Sequence, residues 1–365
     1  MIARVLVGAV LATVLLALPA QADEVVWAAT IRAPRPLPVG DPLYRECTPD
    51  AGLARVAHQL LAERLRGSSW SQRELHLRLR RVGLPYVWPR AWALAGDVDA
   101  QSRFRQWLRR VPARGIHRCG VARGADPAGR PIVAAIVVDA LAELAPLSMR
   151  VRASDWVSLE AVTNRPFHGA TVALLGPSGR PKRVLASLSG RRVLSRFRLD
   201  QPGRWLVQVL ADGDGGPEPI LEVWLFSDVD PSAPGEHEIE AVSQNANGAY
   251  QLLGAARRAE GVRPLRRDAA LEALASEHAA RMKHARRVAH DLGWGGPHQR
   301  ARAAGIRVVH LGENVANAPT IERVHSALWD SPTHRENMLD AGYTRVGIAA
   351  IRGERGFWVV QMFAR

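Results

Sequence analysis

Three polar side chains near the C-terminus are of types that can share one ligand or metal ion. His290 follows a predicted long helix, Glu313 lies in the segment GENVA, and His334 opens the short helix predicted in SPTHRENMLDAG. Two imidazoles and one carboxylate form a three-ligand set with an open fourth position, which suits zinc or another divalent ion. We therefore predict that they converge in one solvent-open cleft. Because such a metal needs neutral imidazoles, its affinity should fall as the pH drops through about 6 to 7.

His334 is the member of this set that local structure explains least. Ser331 can cap the predicted helix, and Pro332 suits its first position. Thr333 with Glu336 offers an alternative capping box. None of these roles needs an imidazole. Because the positive N-terminal end of a helix disfavours imidazolium, we expect the His334 ring to stay neutral.

Other histidines near the C-terminus leave the ligand set open. Four of them lie close enough in sequence to compete for the same role, namely His284, His298, His310 and His325. His278 falls on the apolar stripe of a helix that Asp268 can cap, and this pattern predicts a packed core histidine. No nucleophile accompanies the set, because Ser331 is explained as a cap and no acid is positioned by sequence to orient the His334 ring.

The elements that position this set recur earlier in the chain. Three features recur in the same order. Asp50, Leu53 and Ala57 have the same spacing as Asp268, Leu271 and Ala275. Gly83-Leu84 then corresponds to Gly305-Ile306, and GIHRCGVA at 115 corresponds to GYTRVGIA at 342. Each of the last two segments is followed by a loop and an apolar strand. Several matches in one order over about 70 to 80 residues predict two copies of one fold.

The first copy lacks the polar groups of the second. By alignment from Gly83, the position of Glu313 falls near Ala91. Seven residues separate Trp107 from Gly115, so the SPTHR segment has no counterpart. We therefore predict that residues 45–142 form a degenerate copy that lacks the polar site residues of the second. The alternative is an unrelated helical domain.

The middle of the chain has a different pattern. Seven short segments of alternating apolar residues run from MRVRA near 149 to ILEVWLF near 220, separated by turns such as GPSGRP and DQPGR. This pattern predicts a small antiparallel β-sandwich over residues 146–228. The acidic turn DGDGGPEP lacks the ligand spacing of a calcium loop, and we interpret it as solvated.

The N-terminus is typical of an export signal. An apolar run from Val5 to Leu18 is too short to span a bilayer comfortably, and Ala20-Gln21-Ala22 fits a signal-peptidase site. A retained membrane anchor is the alternative. The complete predicted division is a signal peptide at 1–22, a Pro-rich lead-in at 23–44, the degenerate copy at 45–142, the β-sandwich at 146–228, a linker at 229–238 and a C-terminal domain at 239–365. The mature protein is predicted to be periplasmic or secreted.

The chain carries a formal net charge of +14 and a pI near 11.1. Of its 49 basic residues only those at 182 and 283 are lysines, and the arginines are scattered along the chain. Because they form no stripe or tail, we do not expect nucleic-acid binding. Contact with anionic envelope polymers or lipid head groups fits this charge better.

Two cysteines, Cys47 and Cys119, are present. In an exported protein an even pair can form one disulfide. Aligning the two copies places these cysteines at the positions of Leu265 and Val346. The predicted bridge would thus join the segment before the first long helix to the GIHRCGVA strand.

The C-terminal segments resemble a known family. His290, GENVA at 312–316, SPTHRENML at 331–339, GYTRVGIA at 342–349 and the final FWVVQMF resemble the CAP superfamily, in its bacterial exported branch. This superfamily comprises the cysteine-rich secretory, antigen 5 and pathogenesis-related-1 proteins. The resemblance implies an α-β-α sandwich from about residue 240 to 365. It also implies a cleft containing His290, Glu313 and His334.

The resemblance also implies what such a cleft does. Some members bind divalent cations there, and some bind sterols or other lipids elsewhere on the fold. Eukaryotic members add a Glu on the helix before the second His, where this chain has HSALWDSP, and Asp330 is not expected to replace it. The fold class expected is multi-domain α+β, and the function expected is ligand binding outside the cytoplasm. The alternatives are a metal-assisted hydrolase that uses the same cleft and a non-catalytic scaffold that binds protein or polysaccharide.

Overall fold

The computed structural model describes residues 40–65, 70, 72–96, 99–111, 113–126, 128–213, 216–231, 241–354 and 356–365. The predicted signal peptide, most of the Pro-rich lead-in and most of the predicted linker lie outside these ranges. Within them, no helix combines the length and the apolar character that a membrane span needs.

The N-terminal region begins with a 3-10 helix at Pro42–Arg45. It continues with β1 (Thr48–Pro49), α1 (Ala51–Leu65), α2 (Gln72–Arg81), β2 (Arg90–Ala95), α3 (Ala100–Leu108), β3 (Ile116–Ala125) and β4 (Pro131–Ala140). The strands form one sheet in the order β1-β3-β4-β2. Helices α1 and α2 pack on one face of this sheet, and α3 with the 3-10 helix packs on the other. The region therefore has three layers.

The central region is a curled eight-stranded sheet. Its strands are β5 (Ala142–Leu144), β6 (Arg150–Val151), β7 (Trp156–Thr163), β8 (Gly169–Leu175), β9 (Lys182–Ser189), β10 (Arg192–Arg198), β11 (Gly203–Gly213) and β12 (Gly216–Ser227). All seven predicted strands are present, and β5 is additional. The structure differs from the predicted small antiparallel β-sandwich in two respects. The strands join in one sheet, β5-β7-β10-β9-β8-β11-β12-β6, and β6 pairs with β12 in parallel. The inner face closes on one apolar core.

The C-terminal region consists of α4 (Ala246–Ala259), β13 (Arg266–Arg267), α5 (Ala269–Ala285), α6 (Pro297–Ala303), β14 (Leu311–Ala318), α7 (Ile321–Trp329), α8 (Pro332–Leu339), β15 (Arg345–Gly353) and β16 (Gly356–Ala364). Its sheet has the order β13-β15-β16-β14. One apolar core joins α4, α7 and α8 to one face of the sheet, and a second joins α5 and α6 to the other. This is the predicted α-β-α arrangement, with separate cores on the two sheet faces.

The N-terminal and C-terminal sheets have the same topology and register. In the first, a parallel β1–β3 pair places Pro49 opposite Cys119, and in the second a parallel β13–β15 pair places Arg267 opposite Val346. The two antiparallel pairs that follow also correspond. Ala91 lies opposite Ile136 in the first sheet as Glu313 lies opposite Met362 in the second. The register therefore puts Ala91 at the position of Glu313, as the alignment predicted.

Equivalent residues start the first long helix in both regions. The Asp50 carboxylate accepts a hydrogen bond from the backbone N–H of Leu53, and the Asp268 carboxylate accepts one from that of Leu271. Each aspartate also donates its own N–H to the central strand, at Cys119 O and Val346 O, over 2.8 and 3.0 Å. Such side-chain caps satisfy N–H groups that the helix itself leaves unpaired. The same aspartate thus starts the helix and fixes it to the sheet.

Cys47 and Cys119 form the predicted disulfide, with their Cα atoms 5.9 Å apart. It joins the segment before β1 to β3. At the equivalent positions of the C-terminal region, Leu265 and Val346 supply apolar side chains to one core. Both cysteines lie in the core beneath α3. The bridge therefore replaces an apolar contact between equivalent elements.

Replacing both cysteines with alanine should destabilise the N-terminal region by about 4 kcal/mol, because the bridge closes a long loop in the unfolded chain. Chemical denaturation followed by tryptophan fluorescence and circular dichroism measures this. The C-terminal region holds neither cysteine, so its transition serves as the internal control. A loss below about 1 kcal/mol would contradict the chain-entropy argument, and two titratable thiols in the oxidised protein would contradict the bridge itself.

Candidate functional site

The centre of the candidate site is a buried carboxylate held from two sides. Glu313 lies on β14, and its side chain is 1% exposed. Its Oε1 lies 2.8 Å from Nδ1 of His290, and its Oε2 accepts a hydrogen bond from the buried guanidinium of Arg300. The His290 ring is half-exposed. The cluster therefore fixes one edge of an imidazole whose other edge can meet a ligand.

Arg300 also holds the loop that carries His290. From α6, its guanidinium donates to the carbonyl oxygens of His290 and Gly295 at 2.5 and 2.8 Å. This side chain is 4% exposed. Sequence reasoning missed Arg300, because nothing local separates it from the many other arginines of the chain. Its distinguishing property is burial beside Glu313, which only the packing of α6 against β14 creates.

His334 occupies the first turn of α8, close to the same cluster. Its Nδ1 is buried and has no hydrogen-bond partner among the described residues. Burial, and then the charge of His290, lower the pKa of His334 to about 4. The ring is therefore neutral at neutral pH. The predicted fall of metal affinity between about pH 6 and 7 stays a prediction.

Asparagines of the two motifs join β14 to α8. The amide of Asn314 donates to the His334 carbonyl at 3.1 Å. The amide of Asn337 donates to the Glu313 carbonyl at 3.3 Å and to the side-chain oxygen of Asn314 at 2.9 Å. The GENVA and SPTHRENML segments are thus bonded to each other through their asparagines. Each motif therefore holds the backbone of the residue that carries the polar side chain of the other motif.

The start of α8 differs from the sequence interpretation. Ser331 is the N-cap residue, and Pro332 holds the first position as predicted, but the Ser331 side chain makes no capping bond. Glu336 pairs instead with Arg183 of β9. Arg335, next to His334, is buried, lies 4.0 Å from the Trp329 ring centroid and donates to Gly176 O at 3.3 Å. The helix is therefore held by tertiary contacts with the central region in place of local capping.

The histidines that could compete with this set have other roles or positions. His278 is 2% exposed, and its Nε2 lies 2.8 Å from Ala289 O, so the predicted packed histidine is confirmed. The His310 ring stacks on Tyr343 with 4.4 Å between centroids. The His325 ring stacks on Trp329, and burial lowers its pKa to about 4. His290 is the histidine that contacts Glu313.

A divalent metal does not fit this arrangement of side chains. Both Glu313 oxygens and one His290 nitrogen are already engaged with each other and with Arg300. Across the described part of the chain, no group of three His, Cys, Asp or Glu side chains is placed to hold a metal ion. A metal bound to Glu313 would have to displace the His290 ring from Oε1 or the Arg300 guanidinium from Oε2. Metal binding by His290, Glu313 and His334 stays a prediction of the sequence that this geometry does not favour.

In the N-terminal sheet, Ala91 stands at the position of Glu313, so that position lacks a carboxylate. The N-terminal region has a different pocket of about 130 Å³, lined in part by Asp50, Tyr86 and Glu143. The Tyr86 hydroxyl donates to Asp50 Oδ2 at 2.9 Å, and Glu143 pairs with Arg118. These polar groups satisfy each other. The expectation that the first copy has no catalytic or ligand-binding role stays a prediction.

The three-layer fold and the contact between His290 and Glu313 are features that the family resemblance led us to expect. The profile of the cysteine-rich secretory protein family, CAP, matches residues 250–363. This part of the chain is therefore a CAP domain, as the motifs predicted.

Several similar proteins come from bacteria. The chain is 28% identical over 127 residues to the uncharacterized protein YkwD of Bacillus subtilis, a match that covers 34% of this chain and 49% of that protein. The chain thus spans about half the length of this curated relative. An outer surface protein of Borrelia burgdorferi is 23% identical with a TM-score of 0.30, over 32% of this chain and 88% of the other. An extracellular SCP-domain protein of Bacillus anthracis is 16% identical with a TM-score of 0.30, over 58% and 83%.

Proposed function

We propose that this protein is exported and binds a ligand outside the cytoplasm through the His290–Glu313–His334 cleft of its CAP domain. The N-terminal signal pattern supports export, and related proteins are described as extracellular or outer surface proteins. The ligand class is a small molecule, a lipid or an envelope polymer. Nucleic acid is not expected, because the arginines form no continuous stripe.

This proposal rests mainly on the contrast between the rings of His290 and His334. His290 presents a half-exposed ring whose Nδ1 is fixed by Glu313. His334 presents a neutral ring with an unpartnered, buried Nδ1. A buried nitrogen without a partner is costly unless a water or a ligand atom satisfies it. A hydroxyl group suits both rings, because it can donate to one imidazole nitrogen and accept from another.

The hydrolase alternative has less support from the geometry. A metal-assisted hydrolase needs a metal-bound water and a general base close to it. Both oxygens of Glu313 are occupied, and the cleft does not fit a metal. A binding role, in contrast, requires only the fixed His290 ring and the neutral His334 ring.

Replacing His290 or His334 with alanine should weaken ligand binding at least about tenfold, the effect of losing one good hydrogen bond in a partly buried site. A glycan and lipid binding screen of the mature protein supplies the ligand, and calorimetry supplies its affinity. His284→Ala is the matched control, because this ring is exposed on α5. The melting temperatures of His334→Ala and His284→Ala should stay close to that of the parent. That of His290→Ala should be somewhat lower, because the buried Glu313 loses one hydrogen-bond partner.

Metal analysis of the same samples separates the hypotheses. A metal-free protein whose two variants lose ligand supports the binding cleft as described. One bound divalent ion per chain, lost in both variants, would instead establish the three-ligand site. Unchanged ligand affinity in both variants would contradict the proposed function.

We also propose that residues 45–142 are a degenerate CAP-like copy that supports the central region. The shared strand order and register carry this proposal. Helix α2 contributes Arg80, which pairs with the buried Glu222 of β12, and Pro85 O accepts the N–H of Glu222 at 2.8 Å. With the cleft residues absent, packing against the central sheet is the role that its contacts support.

A further inference from the structure

The outer face of strands β7, β10 and β9 forms an exposed patch that the cleft does not use. We define the β7–β10–β9 face by its outward side chains, which are Trp156, Ser158, Glu160 and Val162, then Arg192, Leu194, Arg196 and Arg198, then Arg183, Leu185, Ser187 and Ser189. The alternation of the strands brings them to one side, while the other side fills the core of the central region. All these residues lie outside the CAP domain.

This face gathers exposed apolar side chains. Trp156 is 50% exposed, Val162 44%, Leu194 42% and Leu185 92%. Among the described residues, ten large hydrophobic side chains are strongly exposed, and four of them lie here. Single exposed apolar residues are ordinary on soluble proteins, but a group on one flat surface indicates a contact site.

The same face carries arginines that are positioned without acidic partners. The guanidinium carbons of Arg196 and Arg198 lie 4.6 and 4.3 Å from the Trp156 ring centroid. No carboxylate in the described ranges forms a salt bridge with either arginine, whereas Arg192 pairs with Glu160 at 3.0 Å. Stacking on the indole orders the guanidinium planes and leaves their N–H edges for phosphate or carboxylate oxygens.

We propose that the β7–β10–β9 face docks onto an anionic lipid surface. Arginines would contact lipid phosphates, while Leu185, Leu194 and Val162 would lie against the boundary with the acyl chains. Tryptophan and arginine suit this interface, because each combines an apolar body with a polar end. Charge complementarity fits anionic lipid, since no carboxylate among the described residues pairs with Arg196 or Arg198.

A polysaccharide fits the face less well. Sugar rings stack on open aromatic faces, but two guanidinium groups already stack on Trp156. A polar chain would also leave the side chain of Leu185 without an apolar partner. A lipid surface satisfies both the charged and the apolar groups.

The test is sedimentation of the full mature chain with vesicles. We expect binding to vesicles that contain phosphatidylglycerol, little binding to pure phosphatidylcholine, and weakening with salt because exposed charges are screened. The Arg196→Glu/Arg198→Glu double variant should bind these vesicles at least about tenfold more weakly, because each arginine near an anionic surface adds to the free energy of binding. The charge-matched control is Arg103→Glu/Arg110→Glu, two exposed positions at the α3 end of the N-terminal region.

A second pair of variants tests the apolar contact. Leu185→Ser should weaken vesicle binding several-fold without changing charge, whereas Val309→Ser should not, although Val309 is 91% exposed. Equal binding of the Arg196/Arg198 double variant and the parent would overturn the proposal. So would binding to soluble polyphosphate or an acidic polysaccharide without binding to vesicles, or a concentration-dependent dimer abolished by Leu185→Ser. Because none of these residues belongs to the cleft, failure here leaves the proposed function standing.

Discussion

Replacing Arg300 with methionine is expected to lower the free energy of unfolding of the C-terminal region by about 3 to 5 kcal/mol. The Arg300 and Glu313 side chains are 4% and 1% exposed, so removing the cation leaves a buried carboxylate without its counter-charge. Methionine fills similar volume, and the effect is therefore electrostatic. The loop carrying His290 also loses the donor to its carbonyl oxygen. Chemical denaturation of the variant measures the loss.

Two further variants identify the cause of that loss. Arg302→Met, two residues along and exposed, should change stability by less than about 0.5 kcal/mol. The double variant Arg300→Met/Glu313→Leu should recover part of the loss, because it removes both charges together. If Arg300→Met is no more destabilising than Arg302→Met, the guanidinium does not hold the carboxylate.

Gly347→Ala and Gly120→Ala should each destabilise their own region by more than about 3 kcal/mol, above the usual cost of overpacking. A Cβ at Gly347 would lie 2.1 Å from the backbone carbon of Leu271, and one at Gly120 would lie 1.9 Å from the backbone nitrogen of Ala54. Backbone atoms in a helix cannot rotate away. The first long helix of each region would therefore have to shift from its sheet.

Gly254→Ala is the control for these two substitutions. Within α4, its nearest neighbour is the flexible end of Arg258 at 3.3 Å, so alanine should fit and raise stability by up to about 1 kcal/mol. Melting curves of the three variants measure the order. A strong effect at Gly347 with none at Gly120 would show that the helix approaches the sheet differently in the two regions, against a common fold.

Local patterns made much of the fold predictable. The caps at Asp50 and Asp268, the alternating strands and the spacing of repeated glycines each depend on residues a few positions apart. Matching these patterns in order also predicted the disulfide and the position of Ala91, because equivalent strands share a register. The motifs around Glu313 and His334 predicted a CAP domain through their resemblance to that family. In the structure, their asparagines bond the two segments together.

By itself, the sequence determined the first long helix of each region, seven of the eight central strands and the shared topology of the two regions. The family resemblance added the expectation that His290 and Glu313 lie in one cleft. Only the tertiary structure decided that Arg300 joins them, that burial lowers the pKa of His334, and that tertiary contacts hold α8 where a serine cap was expected. It also decided that the central strands close into one curled sheet and that Trp156 lies against two arginines. These outcomes depend on burial and on contacts between distant segments. Residue type and spacing do not show which of the many arginines in this chain is buried.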